Sequence, residues 1–374
     1  MFCSCDDLIF EEISDGNINH IYRISDCQTC QSVIIKRAEP EANISKEIVI
    51  ETLRGERESE ILMLYNKLMP GSAPNVLGYN KELRTIVMSD MKEYKVLQNC
   101  ISNVERFNFL PEQLSDFLSN LFFYTSDFYL NSKVKKSKQK KYINPDMCCI
   151  TENLVFSDPY DAEKISCSSK NRDYVKKNIC ENTLLKEEVA ELKYKFMTES
   201  QSLIHGDLHF GSIFVNEKKL MVFDPEFSFY GPMGYDIGNI IAHFIIEYVI
   251  ADCYLPDNQI ITQTLKNYLQ KTVRLSLEKI LNHIESESPE SDLRCSEFAK
   301  KKLRNILLDS LGYAGTECIR RITGIAKLKK IESLDCSVKS DVEKRILQIG
   351  IELIEKREKV MRCYDFEKMI DELL

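Results

Sequence analysis

Alternating hydrophobic and polar positions dominate the first ninety or so residues of the chain. The alternating runs are IYRIS (21–25), SVIIKRA (32–38), VLGYN (76–80) and TIVMSDM (85–91). Alternation with a period of two, bounded by Gly, Asn and Asp, is typical of β-strands joined by turns. Residues 46–68 instead carry apolar side chains at helical spacing, with Ile61, Leu64 and Leu68 on one predicted face. The pattern predicts a small antiparallel sheet with one main helix.

Beyond this sheet the apolar spacing is mostly helical. Amphipathic helices are predicted at 112–130 and 186–200. The run IGNIIAHFIIEYVIA (237–251) is apolar but contains three polar residues, so we predict a buried core helix and no membrane span. The chain is therefore predicted to be an α+β protein of two lobes. Residues 1–91 form the N-lobe, and residues 92–374 form a larger, mostly helical C-lobe.

Composition narrows the function classes. The 374 residues are 44% hydrophobic and 29% charged, as in a globular enzyme, and the formal net charge is −8. A dedicated nucleic-acid binder usually carries a basic surplus, so a small-molecule partner is favoured over a nucleic acid. The N-terminal residues do not have the basic region and apolar core of a secretory signal, so we expect a cytoplasmic protein.

The 14 cysteines are expected to be reduced thiols in that compartment. Two pairs, Cys3 with Cys5 and Cys27 with Cys30, could together offer four thiolates to zinc. Their spacing does not fully match a zinc-binding pattern, so free thiols are the favoured interpretation and zinc the alternative.

Two aspartates flank a predicted hairpin in LIHGDLHFGSIFVNEKKLMVFDPEF (203–227). The apolar runs at 212–215 and 220–223 are joined by the polar NEKK, and Asp207 precedes the hairpin while Asp224 follows it. A hairpin brings its flanking residues together. Two carboxylates that lie close repel each other unless a cation or a proton separates them. The stretch therefore predicts a pocket that binds a cation.

The N-terminal sheet carries a matching set of residues for phosphate. The turn Asp15-Gly16-Asn17 precedes a strand pair, and Lys36 ends the strand SVIIK as a point charge that could reach phosphate oxygens. Either Glu58 or Glu60 on the following helix could hold this ammonium. The order of loop, lysine, acid and helix is that of a kinase N-lobe. Asp207 then matches the catalytic base of a kinase, and Asp224 matches its metal-binding aspartate.

HGDLHFGSIFV followed by DPEFSFYGPMGYDIG resembles the methylthioribose kinase family, which is related to aminoglycoside and choline kinases. Further similar segments are SDGNINHIYRI, VIIKRA, YINPDMCCITENLVFSDPY and GYAGTECIRRI. The resemblance implies a bilobal protein-kinase-like fold that uses ATP and Mg²⁺. It also implies a homodimer and a hinge at Ser89, Asp90 and Met91, where backbone groups pair with adenine.

The metal site departs from the common kinase pattern at Ser212. Many kinases have an Asn at this position, and a hydroxyl is a poorer ligand for a hard cation than a carboxylate. Glu226 restores an anionic oxygen two residues after Asp224. We therefore expect Asp224 and Glu226, with Ser212, to lie at the magnesium, and Asp207 to face the sugar hydroxyl.

Adjacent Arg320 and Arg321 follow a glycine-containing segment. Helical neighbours point about 100° apart, so spacing alone favours one arginine in solvent and one paired with an acid. The resemblance instead matches them to a family pair near the sugar and the transferring phosphate. On that basis Arg320→Lys is expected mainly to raise the pentose KM, and Arg321→Lys to lower turnover as well.

The implied reaction is ATP-dependent phosphorylation of the 1-hydroxyl of 5-methylthioribose, a step of methionine salvage. The chain has no tryptophan, whereas the family has a tryptophan-bearing substrate loop, and the polar excursion at 142–183 could replace it. A kinase for 5-deoxyribose or another 5-modified pentose is therefore one alternative. A non-catalytic, nucleotide-binding, kinase-like regulator is the other.

Overall fold

The N-terminal part of the chain is built on an antiparallel sheet. The structure is a computed structural model, and it describes residues 7–13, 19–38, 41–42, 45–49, 54–254 and 259–374. The first eight strands are β1 Leu8–Glu12, β2 Asn19–Asp26, β3 Ser32–Ala38, β4 Glu41–Ala42, β5 Ser45–Val49, β6 Val76–Asn80, β7 Thr85–Ser89 and β8 Lys95–Val96. Five of them form one sheet in the order β1-β2-β3-β7-β6, with antiparallel neighbours. The strands predicted from the alternating pattern are confirmed.

The main N-terminal helix, α1 Arg54–Leu68, is shorter than predicted. The prediction of helix from residue 46 was wrong, because β5 occupies Ser45–Val49 and pairs with β4. The β-branched Ile48 and Val49 of β5 favour extended backbone. Within α1, Ile61, Leu62 and Tyr65 are fully buried, so this face packs against the core.

The C-terminal part is mostly helical, as predicted. The later helices are α2 Leu97–Cys100, α3 Leu110–Thr125, α4 Ser132–Lys141, α5 Pro145–Phe156, α6 Arg172–Val175, α7 Thr183–Thr198, α8 Met233–Tyr254, α9 Gln259–Glu287, α10 Ser296–Thr323, α11 Lys329–Glu332, α12 Cys336–Lys356 and α13 Cys363–Leu373. The later strands are β9 Ser202–Ile204, β10 Ile213–Val215, β11 Leu220–Val222 and β12 Phe229–Gly231. Helices α3 and α5 differ from the predicted pattern. Helix α3 ends at Thr125 instead of residue 130, and α5 lies within the polar excursion at 142–183.

Helix α8 is the centre of the C-terminal core. It packs against α9, α10 and α12. By length and hydropathy α8 could cross a membrane, but 78% of its most apolar window is buried inside the protein. The predicted buried core helix is confirmed.

The hairpin at the predicted cation pocket is also confirmed. Strands β10 and β11 pair antiparallel, with Ile213 opposite Val222 and Val215 opposite Leu220. Strand β8 extends this small sheet on the other side of β10. The loop between β9 and β10 and the segment after β11 therefore lie at the same end of the hairpin.

Candidate active site

His205 links the two segments that carry the aspartates. Its Nε2 lies 2.9 Å from the carbonyl oxygen of Phe223, the residue before Asp224. Its Nδ1 accepts a hydrogen bond of 3.3 Å from the backbone N–H of Asp207. Because Nδ1 accepts, Nε2 carries the proton and donates to Phe223. Burial lowers the pKa of His205, which favours this neutral form. One buried imidazole thus fixes the spacing of both segments.

Asp236 binds the backbone of the loop between β9 and β10 (residues 205–212), which we call the catalytic loop. It lies in the first turn of α8 and is fully buried. Its carboxylate accepts hydrogen bonds from the backbone N–H groups of His205, at 2.6 Å, and Gly206, at 3.0 Å. Gly206 has a φ of +82°, and a Cβ there would lie 2.3 Å from the carbonyl oxygen of Phe227. The loop conformation therefore requires glycine at this position.

Asp207 has a basic partner on each carboxylate oxygen. Nη2 of Arg320 lies 3.2 Å from Oδ1, and Nε2 of His209 lies 3.3 Å from Oδ2. His209 Nδ1 accepts from the backbone N–H of Gly211 at 2.8 Å, so its Nε2 bears the hydrogen that faces Asp207. Burial alone would raise the pKa of Asp207, but His209, Arg320 and Arg321 lower it below its ordinary value. Asp207 is therefore an ionised acceptor that is still 30% exposed.

Three carboxylates converge next to Lys36. Oxygens of Glu58, Asp224 and Glu226 all lie within 4.8 Å of one another. Lys36, on the central strand β3, lies 2.8 Å from Glu58 Oε2 and also contacts Asp224. The acid that holds Lys36 is thus Glu58, whereas Glu60 pairs with Lys141 at 2.7 Å.

The cluster of Glu58, Asp224 and Glu226 carries excess negative charge in a largely buried part of the protein. Burial raises the pKa of Glu58 to about 7, and burial together with Asp224 raises the pKa of Glu226. Oε2 of Glu226 accepts from Asn19 at 3.1 Å and lies 3.4 Å from Nε of Arg54. Carboxylate oxygens at this spacing are the ligands that Mg²⁺ prefers, so the donor set fits a divalent cation.

Asp224 has an unusual backbone conformation. Its φ is 62° and its ψ is 48°, in the left-handed region that non-glycine residues rarely adopt. Its side chain is 41% exposed, more than either glutamate of the cluster. The turn directs the carboxylate of Asp224 toward both Lys36 and the open side of the cluster. Residues in such conformations are common at functional sites.

Ser212 contacts the catalytic loop. Its hydroxyl accepts from the backbone N–H of His209 at 3.0 Å and lies 2.8 Å from the His209 carbonyl oxygen. It also lies 3.1 Å from the carbonyl oxygen of Asp207. Ser212 is buried, with 4% of its surface exposed, and these contacts stabilise the turn that follows Asp207.

The predicted hinge already has several internal hydrogen bonds. The carboxylate of Asp90 accepts from Arg23 Nε at 2.8 Å and from Ser32 Oγ at 2.6 Å. The backbone N–H of Ser89 donates to Asn75, and the carbonyl of Met91 accepts from Tyr94. The predicted phosphate turn, Asp15, Gly16 and Asn17, lies outside the described residues.

Arg320 and Arg321 lie in the last turn of α10, and both are buried. The alternative in which one of them faces solvent is wrong. Both donate to the carboxylate of Glu317, because residues three and four positions earlier lie on adjoining parts of one helix face. Arg320 additionally reaches Asp207.

Sequence reasoning missed several side chains that hold this site together, including His205, His209, Asp236 and Glu317. Each lies inside a segment that the family resemblance covers, yet spacing alone gives them no partner. A buried acid on a helix with few charged residues was the available signal for Asp236. Of the four cysteines considered for zinc, Cys27 and Cys30 are exposed and free, and Cys3 and Cys5 lie outside the described residues.

The chain is similar in sequence to known phosphotransferases. Residues 170–252, which contain Asp207, Asp224 and Asp236, match the Phosphotransferase enzyme family. The chain is 32% identical over 354 residues to the methylthioribose kinases of Bacillus thuringiensis subsp. konkukian and Bacillus cereus strain B4264, covering 94% of this chain and 88% of each relative. It also aligns with the choline kinase structure of Cryptosporidium parvum Iowa II, at 13% identity and a TM-score of 0.49, covering 95% of this chain and 92% of that one. The identity and coverage shared with the Bacillus enzymes establish that this chain is a sugar kinase that belongs to the methylthioribose kinase family.

Proposed function

We propose that the protein transfers the γ-phosphoryl group of ATP to the 1-hydroxyl of 5-methylthioribose, as a step of methionine salvage. The observation that carries the proposal is the position of Asp207, whose two oxygens are held by Arg320 and His209. This arrangement gives an ionised acceptor next to a guanidinium. A sugar hydroxyl and a phosphoryl group need these two partners in one place.

Asp207 orients the sugar hydroxyl and accepts its proton late in the transfer. Its lowered pKa makes it a weak base, so its main contribution is the alignment of the hydroxyl with the phosphorus atom. Arg320 and Arg321 bind sugar or phosphate oxygens through their planar guanidinium groups. The proton that leaves the hydroxyl goes to a carboxylate oxygen of Asp207.

The nucleotide phosphates lie at the cluster of Glu58, Asp224 and Glu226. Asp224 and Glu226 would hold Mg²⁺, which would neutralise the charge that develops on the phosphate oxygens. Lys36 binds phosphate oxygens, and for this it exchanges its contact with Asp224 while Glu58 keeps it in place. Ser212 supports this site through its contacts in the catalytic loop.

Adenine binds at the segment formed by Ser89, Asp90 and Met91, between an N-lobe of residues 1–91 and a C-lobe of residues 92–374. The side chain of Asp90 binds Arg23 and Ser32, so adenine would pair with the backbone groups of this segment that Asn75 and Tyr94 do not already bind. Asp15, Gly16 and Asn17, which lie outside the described residues, are proposed to bind the phosphates. We further propose a cytoplasmic homodimer.

A panel of pentoses tests the proposal. ADP release should be fastest with 5-methylthioribose and slower with 5-deoxyribose and ribose, and the product should carry phosphate on the anomeric carbon. Preference for 5-deoxyribose would identify the protein as a kinase for another 5-modified pentose. Nucleotide binding without ADP release on any pentose would instead indicate a non-catalytic regulator.

A further inference from the structure

Glu317 is a buried carboxylate at which three basic side chains meet. It lies on α10 and only 1% of its surface is exposed. Nε of Arg320 donates to its Oε2, and Nε of Arg321 donates to its Oε1 at 2.6 Å. Nη2 of Arg320 lies 3.2 Å from Oε1. The third basic side chain, His243, has its Nε2 3.4 Å from Oε1.

The helix explains how two adjacent arginines share one acid. Their side chains diverge by about 100° around the axis, but both lean toward the N-terminus of the helix, where the residue three or four positions earlier lies between them. Glu317 thereby occupies the Nε edge of each guanidinium. The terminal nitrogens also reach other acceptors: Nη2 of Arg320, which contacts Glu317 as well, reaches Asp207 at 3.2 Å, and Nη1 of Arg321 reaches the carbonyl of Ala326 at 3.1 Å.

A second route connects Glu317 with the other oxygen of Asp207. His243, on α8, is 1% exposed and stacks on His209, with ring centroids 5.3 Å apart and an angle of 21° between the rings. His209 in turn lies 3.3 Å from Oδ2 of Asp207. Arg320, at one oxygen of Asp207, is therefore bound directly by Glu317, whereas His209, at the other oxygen, is connected to Glu317 only through its stacking on His243.

The positive charges of Arg320 and Arg321 are balanced only if both Asp207 and Glu317 are ionised. Two guanidinium groups face two carboxylates, those of Asp207 and Glu317, and burial keeps His243 neutral by lowering its pKa to about 4. Burial would raise the pKa of Glu317, but the two arginines hold it well below its ordinary value. Without this negative charge, two guanidinium groups would share the single carboxylate of Asp207.

We propose that Glu317 is a positioning residue for phosphoryl transfer, because it keeps Arg320 from closing over both oxygens of Asp207. With Nε bound to Glu317, Arg320 meets Asp207 through one terminal nitrogen and leaves carboxylate lone pairs for the sugar hydroxyl. A released Arg320 would form the two-pronged pair that guanidinium and carboxylate groups prefer. The catalytic acceptor would then be blocked by its own neighbour. This inference rests on the proposed sugar site.

The test compares Glu317→Gln with Asp309→Asn in steady-state assays that vary 5-methylthioribose and ATP separately. Asp309 is a matched control, since it is a buried acid about two turns earlier on α10 that pairs with Lys195 at 2.7 Å. We expect Glu317→Gln to raise the pentose KM and lower kcat, each by about tenfold or more, with the ATP KM changed less than about twofold. Asp309→Asn should leave all three parameters close to those of the wild type.

Glu317→Asp is a second variant that tests the same role if Glu317→Gln fails to fold. The shorter side chain retains the charge but draws both guanidinium groups back, so the pentose KM should rise while ATP binding, measured by calorimetry, is retained. Wild-type pentose parameters in Glu317→Asp, or equal parameters in folded Glu317→Gln and Asp309→Asn, would overturn the role of Glu317. Absence of wild-type turnover on 5-methylthioribose would overturn the proposed function itself, and the role of Glu317 at the sugar with it.

Discussion

Nη2 of Arg320 lies 3.2 Å from Oδ1 of Asp207, although 113 positions separate the two residues in the chain. The last turn of α10 therefore borders the catalytic loop. In the proposed reaction, a sugar hydroxyl that approaches Asp207 would also meet Arg320. The terminal nitrogen Nη1 of Arg321 instead contacts the carbonyl of Ala326.

On the basis of this contact we propose the opposite of the assignment that the sequence analysis gave to the two arginines. Arg320→Lys should lower kcat by about tenfold or more, because the planar guanidinium group binds Glu317 and Asp207 at the same time and a lysine ammonium group cannot. Arg321→Lys should mainly raise the pentose KM. Steady-state kinetics with 5-methylthioribose will measure both. Unchanged pentose parameters in both variants would remove the arginines from the site.

Asp207→Asn should lower turnover by about 10²-fold or more while nucleotide binding is retained. The amide keeps the shape of the side chain, but its nitrogen cannot accept the proton of the sugar hydroxyl. ADP release gives the turnover, and calorimetry with ATP and Mg²⁺ gives the binding. Near-wild-type turnover in this variant would show that Asp207 is not the acceptor.

Glu226→Gln should increase the Mg²⁺ concentration needed for half-maximal turnover more than Ser212→Ala does. The carboxylate of Glu226 belongs to the cluster with Glu58 and Asp224, whereas the hydroxyl of Ser212 is bonded within the catalytic loop. Loss of the hydroxyl should lower kcat at saturating metal instead. Magnesium titrations of both variants will compare the two effects, and equal shifts would argue against a special role of Glu226 at the metal.

Asp236 should make stability depend on pH between about 4 and 7. Burial raises its pKa from 3.8 to about 7 in the folded chain, so between these values the folded chain holds a proton that the unfolded chain has released. The free energy of unfolding then falls as the pH rises, by about 4 kcal/mol for one such group over the whole window.

When the pH rises from about 5 to about 7.5, Asp236→Asn should therefore lose less stability than the wild type. Urea unfolding at the two pH values will measure the difference. The variant should also lose turnover, because one amide oxygen cannot replace two carboxylate oxygens at the N–H groups of His205 and Gly206. Parallel stability changes in the two proteins would contradict the raised pKa.

Local patterns were sufficient to predict β2, β3, β6 and β7, the hairpin and the amphipathic helix α7. Leu185, Val189, Leu192 and Phe196 are all buried, as helical spacing requires. The prediction failed where tertiary contacts or competing preferences decide, as at Ser45–Val49, where an apolar helical pattern also suits a strand. The choice between Glu58 and Glu60 was likewise open, because only the folded helix directs Glu58 toward Lys36.

The residues that hold the site together were harder to predict than the residues at its centre. Asp207 and Asp224 flank a hairpin, so local structure brings them together. Glu317 and His243 contact each other only because α8 packs against α10, and spacing within either helix carries no sign of the partner. A family resemblance transfers the reacting residues, but the buried contacts that orient them appear only in the fold.

The left-handed backbone at Asp224 has a consequence for how the enzyme tolerates inactivating changes. Asparagine adopts positive φ more readily than other non-glycine residues, so Asp224→Asn removes the charge with little strain on the turn. A β-branched residue at position 224 would disturb the turn as well as the proposed metal site. A population of random variants selected only for solubility should therefore retain asparagine there and lose valine, which would leave folded proteins that lack one carboxylate of the cluster with Glu58 and Glu226.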